Sequence, residues 1–101
     1  MMSLKMASFK TIHHIIITLL KRNNFAYYAR QVTEQYRILN ADGDIKQKQK
    51  ALECLKEIFH PKGLRETIIR DRTGRELNCS QWNRLIDAFM DKALETAYSR
   101  Q

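Results

Sequence analysis

The sequence predicts a single, mainly α-helical domain of about four helices, with one short extended insert before the last helix. Apolar residues recur at intervals of three and four over most of the 101 residues. One proline and three glycines are too few for the turns of a many-stranded sheet. The 44% hydrophobic and 29% charged composition is typical of folded globular proteins. We therefore expect residues 1–101 to form one domain around one core.

The first predicted helix spans residues 9–22. Ser8 precedes it and belongs to the residue types that cap helix N-termini. Ile12, Ile16 and Leu19 then recur at helical spacing. The β-branched residues in this stretch are also compatible with a strand, but the spacing and the length favour a helix.

The second predicted helix spans residues 25–39. The pair Asn23-Asn24 interrupts the apolar pattern before it and offers a cap for its first turn. Val32 and Tyr36 lie four residues apart on its apolar stripe. Because so few residues connect the first two helices, we expect them to be antiparallel neighbours.

The third predicted helix spans residues 44–59. Asp44 is its N-cap, and Gln47 stands at the position that completes a capping box. Residues 46–50 in its opening turns are all polar, and we expect them to project into solvent. The lysines of these turns are Lys46, Lys48 and Lys50.

The insert, residues 64–77, is predicted to be hairpin-like. Pro61 ends the third helix, because the residue before a proline avoids the helical region. Gly63 permits the reversal that follows. Two short extended segments would then meet across a turn at Thr73-Gly74. The apolar residues expected to dock this insert on a helix are Ile68, Ile69 and Leu77.

The fourth predicted helix spans residues 80–98. Asn78 or Ser80 caps it, and Gln81 lies three residues after Asn78, as in a capping box. The helix has the clearest amphipathic stripe in the chain. The side chains expected at the centre of the core are Trp82, Phe89, Ile16 and Val32.

No arrangement of residues predicts a catalytic, metal or cofactor site. His13 and His14 are adjacent, so on a helix they point about 100° apart and cannot share a metal ion. Cys54 and Cys79 lack metal-ligand spacing and are typical of reduced thiols in a cytosolic protein. The three glycines are isolated and form no phosphate-binding loop. We therefore expect a protein that is not an enzyme and uses no metal or cofactor.

The N-terminal apolar run does not predict a secretory signal or a membrane segment. Residues 15–20 are followed by Lys21-Arg22, without a small-residue cleavage pattern. The run is also far shorter than the roughly 20 apolar residues of a membrane helix. We expect a cytoplasmic protein that has no membrane partner.

The net charge of +7 is unevenly distributed along the chain. Residues 1–24 carry four basic and no acidic side chains, and the insert adds a second basic cluster. Such charges attract nucleic acid or an acidic protein face, but they also suit a soluble surface or a turn whose charges pair among themselves. The candidate partner-binding residues are Lys62, Arg65, Arg70, Arg72 and Arg75 around the insert, with Lys46, Lys48 and Lys50 as a second patch.

The second half of the chain carries a recognisable order of elements. A helix ends in a glycine-bearing turn at 58–64, an extended apolar segment follows at 67–69, and Asn78 precedes a helix with Leu-Ile-Asp at 85–87. Over residues 51–97 this order resembles that of small bacterial proteins of unknown function, several of which are encoded beside toxins as immunity proteins. The resemblance implies a cytosolic inhibitor that binds one toxin domain and performs no chemistry.

The function we expect is therefore that of a protein-binding inhibitor. It would be an immunity protein that occludes the active site of a cognate bacterial toxin. The toxin domain would have an acidic face. The alternative is a small basic nucleic-acid-binding or regulatory protein that uses the same cations on phosphates. A third alternative is a subunit of a larger complex, which would leave an apolar patch exposed when isolated.

Overall fold

The computed structural model describes residues 6–99 and confirms a mainly α-helical fold. Residues 1–5 and 100–101, which include part of the N-terminal basic cluster, lie outside the described part. Within it, α2 and α4 each pack against all three other helices. The α-helices are α1 (Phe9–Arg22), α2 (Ala26–Asn40), α3 (Ile45–Ile58) and α4 (Cys79–Tyr98).

Three of these helices begin at a predicted side-chain cap. Ser8, Asp44 and Asn78 each accept a hydrogen bond from the backbone N–H three residues later. At α4 the side chain of Gln81 also accepts a bond from the Asn78 backbone N–H, which completes a capping box. A cap of this kind stabilises a helix by about 1 kcal/mol, so the helix starts are set by local sequence.

The start of α2 differs from the prediction. Its N-cap is Phe25, which has no capping side chain, and Asn24 adopts a positive φ of 68°. Asn23 instead ends α1, where its backbone N–H donates to the carbonyls of Leu19 and Leu20. The prediction that the asparagine pair caps α2 was wrong. The pair forms the reversal between the helices, because asparagine tolerates the left-handed conformation that this turn requires.

The core is centred on α4. The Phe89 ring contacts the rings of Phe9 and Phe59, with centroids 5.1 Å and 6.0 Å apart. These contacts join α1, α4 and the end of α3. The four side chains predicted for the centre are all buried, which confirms that prediction: Trp82, Phe89, Ile16 and Val32.

The insert does not contain the two short strands that were predicted. Leu64–Glu66 forms a 3₁₀ turn, and the only bridge in the described part of the insert pairs Arg70 with Glu76. The chain reverses between these two residues, where Gly74 has a φ of +86°. Strands fail to form because the residues around the reversal are charged, and two isolated strands need a buried apolar face to be stable.

Only part of the insert docks on the helices as predicted. Ile69 is buried and Leu77 is half-buried, but Ile68 is 62% exposed. The prediction for Ile68 was wrong because successive side chains of an extended chain point to opposite sides. Ile68 and Ile69 therefore cannot both face the core.

A buried hydrogen bond fastens the start of the insert to α4. Trp82 Nε1–H donates to the carbonyl oxygen of Leu64 at 2.7 Å, and both side chains are buried. Leaving such a buried polar group without a partner costs about 1–3 kcal/mol. The path of the chain after α3 is thereby coupled to the largest side chain of the core.

His13 of α1 is packed against α2. Its ring stacks on Tyr36 with centroids 3.9 Å apart, and its Nε2 lies 3.2 Å from the Thr33 Oγ1. Burial lowers the pKa of His13 below its ordinary value of 6.5, and the neighbouring His14 adds to the effect. The packing therefore favours the neutral imidazole.

We expect Trp82→Phe to lower the free energy of unfolding by about 1–3 kcal/mol, because the Leu64 carbonyl keeps only its bond from the Thr67 N–H and the smaller ring leaves a gap in the core. Urea denaturation followed by circular dichroism measures this change. Tyr27→Phe is the control, since it removes a hydroxyl from a side chain that is 60% exposed and should change stability by less than about 0.5 kcal/mol. Equal losses in the two variants would contradict the role of the indole bond.

We also expect the free energy of unfolding to fall as the pH is lowered below 6.5. The unfolded chain binds a proton on His13 in this window, whereas the folded chain takes it up only at a lower pH, so protonation favours unfolding. Denaturation of the wild type and of His13→Gln between pH 7 and 5 measures this contribution. The variant should show the weaker dependence, while His14→Gln should keep most of it because burial is the main cause. If the free energy of unfolding depends equally on pH in His13→Gln and in the wild type, His13 is not the source of this dependence.

Candidate functional site

Arg65, predicted to bind a partner, is engaged within the protein. Its Nε donates to the Phe59 carbonyl at 2.9 Å, and its Nη1 donates to Asn83 Oδ1 at 2.8 Å. Its Nη2 forms an ion pair of 2.9 Å with Asp87, and only 22% of the Arg65 side chain is exposed. These contacts join the end of α3, the insert and α4, so Arg65 positions the insert.

Hydrogen bonds from Asn23 hold the insert beside the end of α1. Asn23 Oδ1 accepts from the Arg70 backbone N–H, and Asn23 Nδ2 donates to the Arg70 carbonyl, each at 2.9 Å. Asn23 Nδ2 also donates to the Leu19 carbonyl of α1 at 2.7 Å. The amide side chain thus satisfies both backbone groups of Arg70, as a neighbouring strand would.

Asp71 organises the turn at the tip of the insert. Its Oδ1 accepts from the Thr73 hydroxyl at 2.6 Å and from the backbone N–H groups of Thr73 and Arg75 at 2.9 Å and 3.1 Å. These bonds, the Thr73 hydroxyl first among them, and the nearby Arg75 charge hold the pKa of Asp71 below its usual range. Asp71 is therefore ionised at neutral pH and fixes the turn that carries its neighbouring arginines.

The hydrogen bonds of Arg65 and Asn23 bring together basic segments that are distant in sequence. Lys21 and Arg22 end α1, directly before the asparagine that holds the insert, and three arginines follow on the insert itself. All five side chains are exposed. We call this set the basic surface: Lys21, Arg22, Arg70, Arg72 and Arg75.

Two cations of the basic surface lie near a carboxylate within the described residues, Arg70 near Glu76 and Arg75 near Asp71. Arg70 forms an ion pair of 3.1 Å with Glu76 and donates to the Gly74 carbonyl at 3.2 Å. An exposed pair of this kind contributes little to stability. Arg75 forms no hydrogen bond or ion pair through its guanidinium to residues 6–99, although the Asp71 charge is close to it. Three further side chains also form none, so their charges are available to a ligand: Lys21, Arg22 and Arg72.

The second predicted patch, on α3, is only partly at the surface. Lys46 and Lys50 are exposed, but Lys48 is 8% exposed. The expectation that Lys48 projects into solvent was wrong, because it shares a helix face with the buried Ala51 and Leu52, three and four residues later. Its alkyl stem therefore packs beside the apolar stripe.

The α3 patch and the insert lie at opposite ends of α4. Gln49 of α3 donates to the Tyr98 hydroxyl at 3.4 Å, which places the start of α3 at the C-terminal end of α4. The insert leads into the N-terminal end of α4 at Cys79. Because α4 has 20 residues, these ends are about 30 Å apart. The two predicted patches are therefore separate surfaces.

Two open grooves lie outside the basic surface. The first, of about 430 Å³, lies between the start of α3 and the end of α4. The second, of about 550 Å³, lies where α3 ends against α4, and we call it the α3–α4 groove. The first is lined by Asp42, Gly43, Ile45, Lys48, Ala97, Tyr98 and Ser99. The second is lined by Lys56, Phe59, His60, Pro61, Arg65 and Met90.

Sequence reasoning did not identify the α3–α4 groove or the contribution of α1 to the basic surface. Two signals could have pointed to them. The pair Lys21-Arg22 ends a helix just before a turn, and His60-Pro61 follows a buried phenylalanine. Neither signal says which distant segment packs alongside, so both sites depend on tertiary contacts.

Further titratable groups do not form a reactive cluster. Burial, aided by the Glu57 charge, raises the pKa of the Cys54 thiol, and Cys79 is an exposed free thiol. Within residues 6–99, no three side chains of histidine, cysteine, aspartate or glutamate lie where they could hold a metal ion together. None of the described helices is long and apolar enough to cross a membrane.

No protein-family model, curated protein or solved structure matches this chain. The features that bear on function are the charges and contacts of the basic surface and the chemistry of the grooves.

We expect Asn23→Ala to release the insert from α1 without unfolding the helices. The Arg70 N–H would lose its acceptor, and since such a bond contributes about 0.5–1.5 kcal/mol, its amide exchange should quicken by about two- to tenfold. Hydrogen exchange measured by NMR tests this expectation. Asn40→Ala is the matched control, since Asn40 also bonds a carbonyl of its own helix at 2.8 Å but has no contact with the insert. Equal amide exchange rates at Arg70 in the two variants would contradict the role of Asn23 in holding the insert.

Proposed function

We propose that this protein is a non-enzymatic inhibitor, an immunity protein that neutralises a cognate bacterial toxin in the cytoplasm by covering its active site. The partner would be a toxin domain with an acidic face, which the basic surface would contact. The observation that carries this proposal is the set of four exposed cations on α1 and the insert whose side chains form no hydrogen bond or ion pair within residues 6–99. Since Asn23 and Arg65 hold the insert in place, little conformational freedom is lost on binding.

The chemistry of the basic surface suits carboxylates. Arg72 and Arg75 present planar guanidinium groups that can bind a carboxylate through two parallel hydrogen bonds. Positive charge on one surface also steers an acidic partner and raises its association rate. These properties favour recognition of a folded acidic face.

Two exposed apolar groups lie close in sequence to residues of the basic surface and would add contact area for a protein. Tyr27 is 60% exposed and lies four residues after Asn23, and Ile68 is 62% exposed and lies two residues before Arg70. Protein interfaces combine such aromatic and apolar groups with arginine. A purely solvated turn would not need them.

A second candidate function is nucleic-acid binding by the same basic surface. The specific observation in its favour is that Tyr27 is exposed close in sequence to Lys21 and Arg22. Lysine and arginine would contact phosphates while the tyrosine ring stacks on a base. Such binding weakens steeply with salt and tolerates any sequence, which separates it from the inhibitor function.

We expect the double substitution Arg72→Glu, Arg75→Glu to weaken the complex with the toxin by about 10- to 100-fold, because two attractive contacts become repulsive. The partner is first captured from native lysate with the tagged wild-type protein and then purified. Isothermal titration calorimetry at moderate salt measures the dissociation constants. The double substitution Lys46→Glu, Lys50→Glu is the control, since it makes the same charge change at the other end of α4.

Equal affinities of the two double variants would remove the basic surface from the interface. Capture of DNA or RNA without a stoichiometric protein would replace the inhibitor proposal by the nucleic-acid alternative. In that event, binding to random-sequence nucleic acid should fall steeply across a salt series.

A further inference from the structure

The α3–α4 groove combines an apolar floor with a rim of hydrogen-bond donors. Phe59 is buried, Met90 is half-buried, and Pro61 closes one side. Lys56 and His60 are exposed on the rim. No acidic side chain is among the residues that line this groove in the described part of the chain. Its lining therefore complements a ligand that is both apolar and anionic.

Arg65 contributes a fixed donor group to this groove. Three of its N–H groups donate to Phe59, Asn83 and Asp87. A guanidinium carries five N–H groups, so two are left for a ligand. Asp87 offsets part of the positive charge, and Arg65 acts here as an oriented donor more than as an attracting charge.

His60 is oriented by the backbone of the turn. Its Nδ1 accepts a hydrogen bond from the Lys62 N–H at 3.1 Å. In the neutral ring the proton is then on Nε2, which becomes a donor. Lys56 supplies a full positive charge, and its ammonium group makes no ion pair or hydrogen bond to residues 6–99. The rim thus presents donors that match a carboxylate.

The floor suits one aromatic side chain. The groove volume of about 550 Å³ lies within the range of about 300–1,000 Å³ that ligand pockets occupy. Met90 is flexible and polarisable, so it can adapt to a ring and make a favourable sulfur–aromatic contact. Phe59, which is buried beneath the groove, supplies an aromatic ring at its floor.

We infer that the α3–α4 groove binds a segment of the protein partner in which an aromatic side chain lies beside a carboxylate. The ring would occupy the floor on Phe59 and Met90, and the carboxylate would accept from Lys56 and His60. This inference rests on the proposed function, since it names the chemistry of the partner. It assigns a second contact region to the protein, separate from the basic surface.

The test uses three short peptides and the full chain labelled for NMR. The probe is acetyl-Glu-Phe-Glu-amide, and its matched controls replace both glutamates by glutamine or the phenylalanine by alanine. We expect shift changes confined to the groove, at Phe59, His60 and Met90. Affinity should fall about two- to fivefold on loss of the charges and about tenfold or more on loss of the ring.

Two protein variants locate the binding and separate it from the proposed function. Lys56→Glu should lower the affinity for the probe peptide by at least the factor seen on loss of the peptide charges. Lys50→Glu, on the same helix, should leave the affinity for the probe peptide unchanged. Both positions are exposed, so the fold should be kept, and a thermal melt checks this. The double substitution Arg72→Glu, Arg75→Glu should leave the shift changes in the groove intact even if it abolishes toxin binding.

Equal binding of the three peptides would overturn the inference, because the groove would then recognise neither the ring nor the charge. Shift changes that follow Arg72 and Arg75 instead of Phe59 and Met90 would also overturn it and assign the peptide to the basic surface. Neither result would bear on whether the full protein inhibits a toxin. If the protein binds no toxin but still binds the peptide in the groove, the proposed function is rejected. The groove would then remain a binding site for an aromatic side chain beside a carboxylate.

Discussion

The rest of the structure depends on the buried hydrogen bond between Trp82 and Leu64. The core needs the bulk of the indole, but its N–H group requires an acceptor once it is removed from water. The Leu64 carbonyl is that acceptor, so the chain must return to α4 directly after α3 ends. Arg65 follows at once and reaches Asn83 and Asp87 on the same helix. A requirement of the core thus sets where the insert begins.

The two surfaces that carry the functional argument follow from this anchoring. With Leu64 fixed, the extended segment buries Ile69 and brings the next residue, Arg70, against Asn23 at the end of α1. This contact joins the insert, which carries the arginines, to the end of α1, which carries Lys21 and Arg22. On the other side, Arg65 forms part of the α3–α4 groove. Both surfaces are held by the folded core, so they are preorganised to a degree that a free loop of the same sequence would not be.

Much of the fold can be predicted from sequence because its determinants are local. Apolar periodicity and helix caps act within a few residues, so Ser8 and Asp44 were predicted correctly and Asn78 was one of two predicted caps for α4. The candidate site was predicted less well, because its contacts are distant: Asn23 and Arg70 are 47 residues apart. A charged residue in a sequence does not reveal its partner, which is why Arg65 was placed at the surface. The burial of Lys48 follows from its register with Ala51, because a lysine stem can pack beside an apolar stripe although its charge favours the surface.

The proposed surfaces differ in what each can contribute to a complex. Exposed cations act over about a Debye length, so the basic surface would mainly raise the rate at which an acidic partner is captured. The apolar floor of the α3–α4 groove acts only on contact, and desolvation of a ring against Phe59 and Met90 would mainly slow dissociation. Arg65 connects the two regions, because the same guanidinium orients the insert and borders the groove. A partner seated in the groove would therefore meet a basic surface whose position relative to that groove is already set by the bonds of Arg65 to α4.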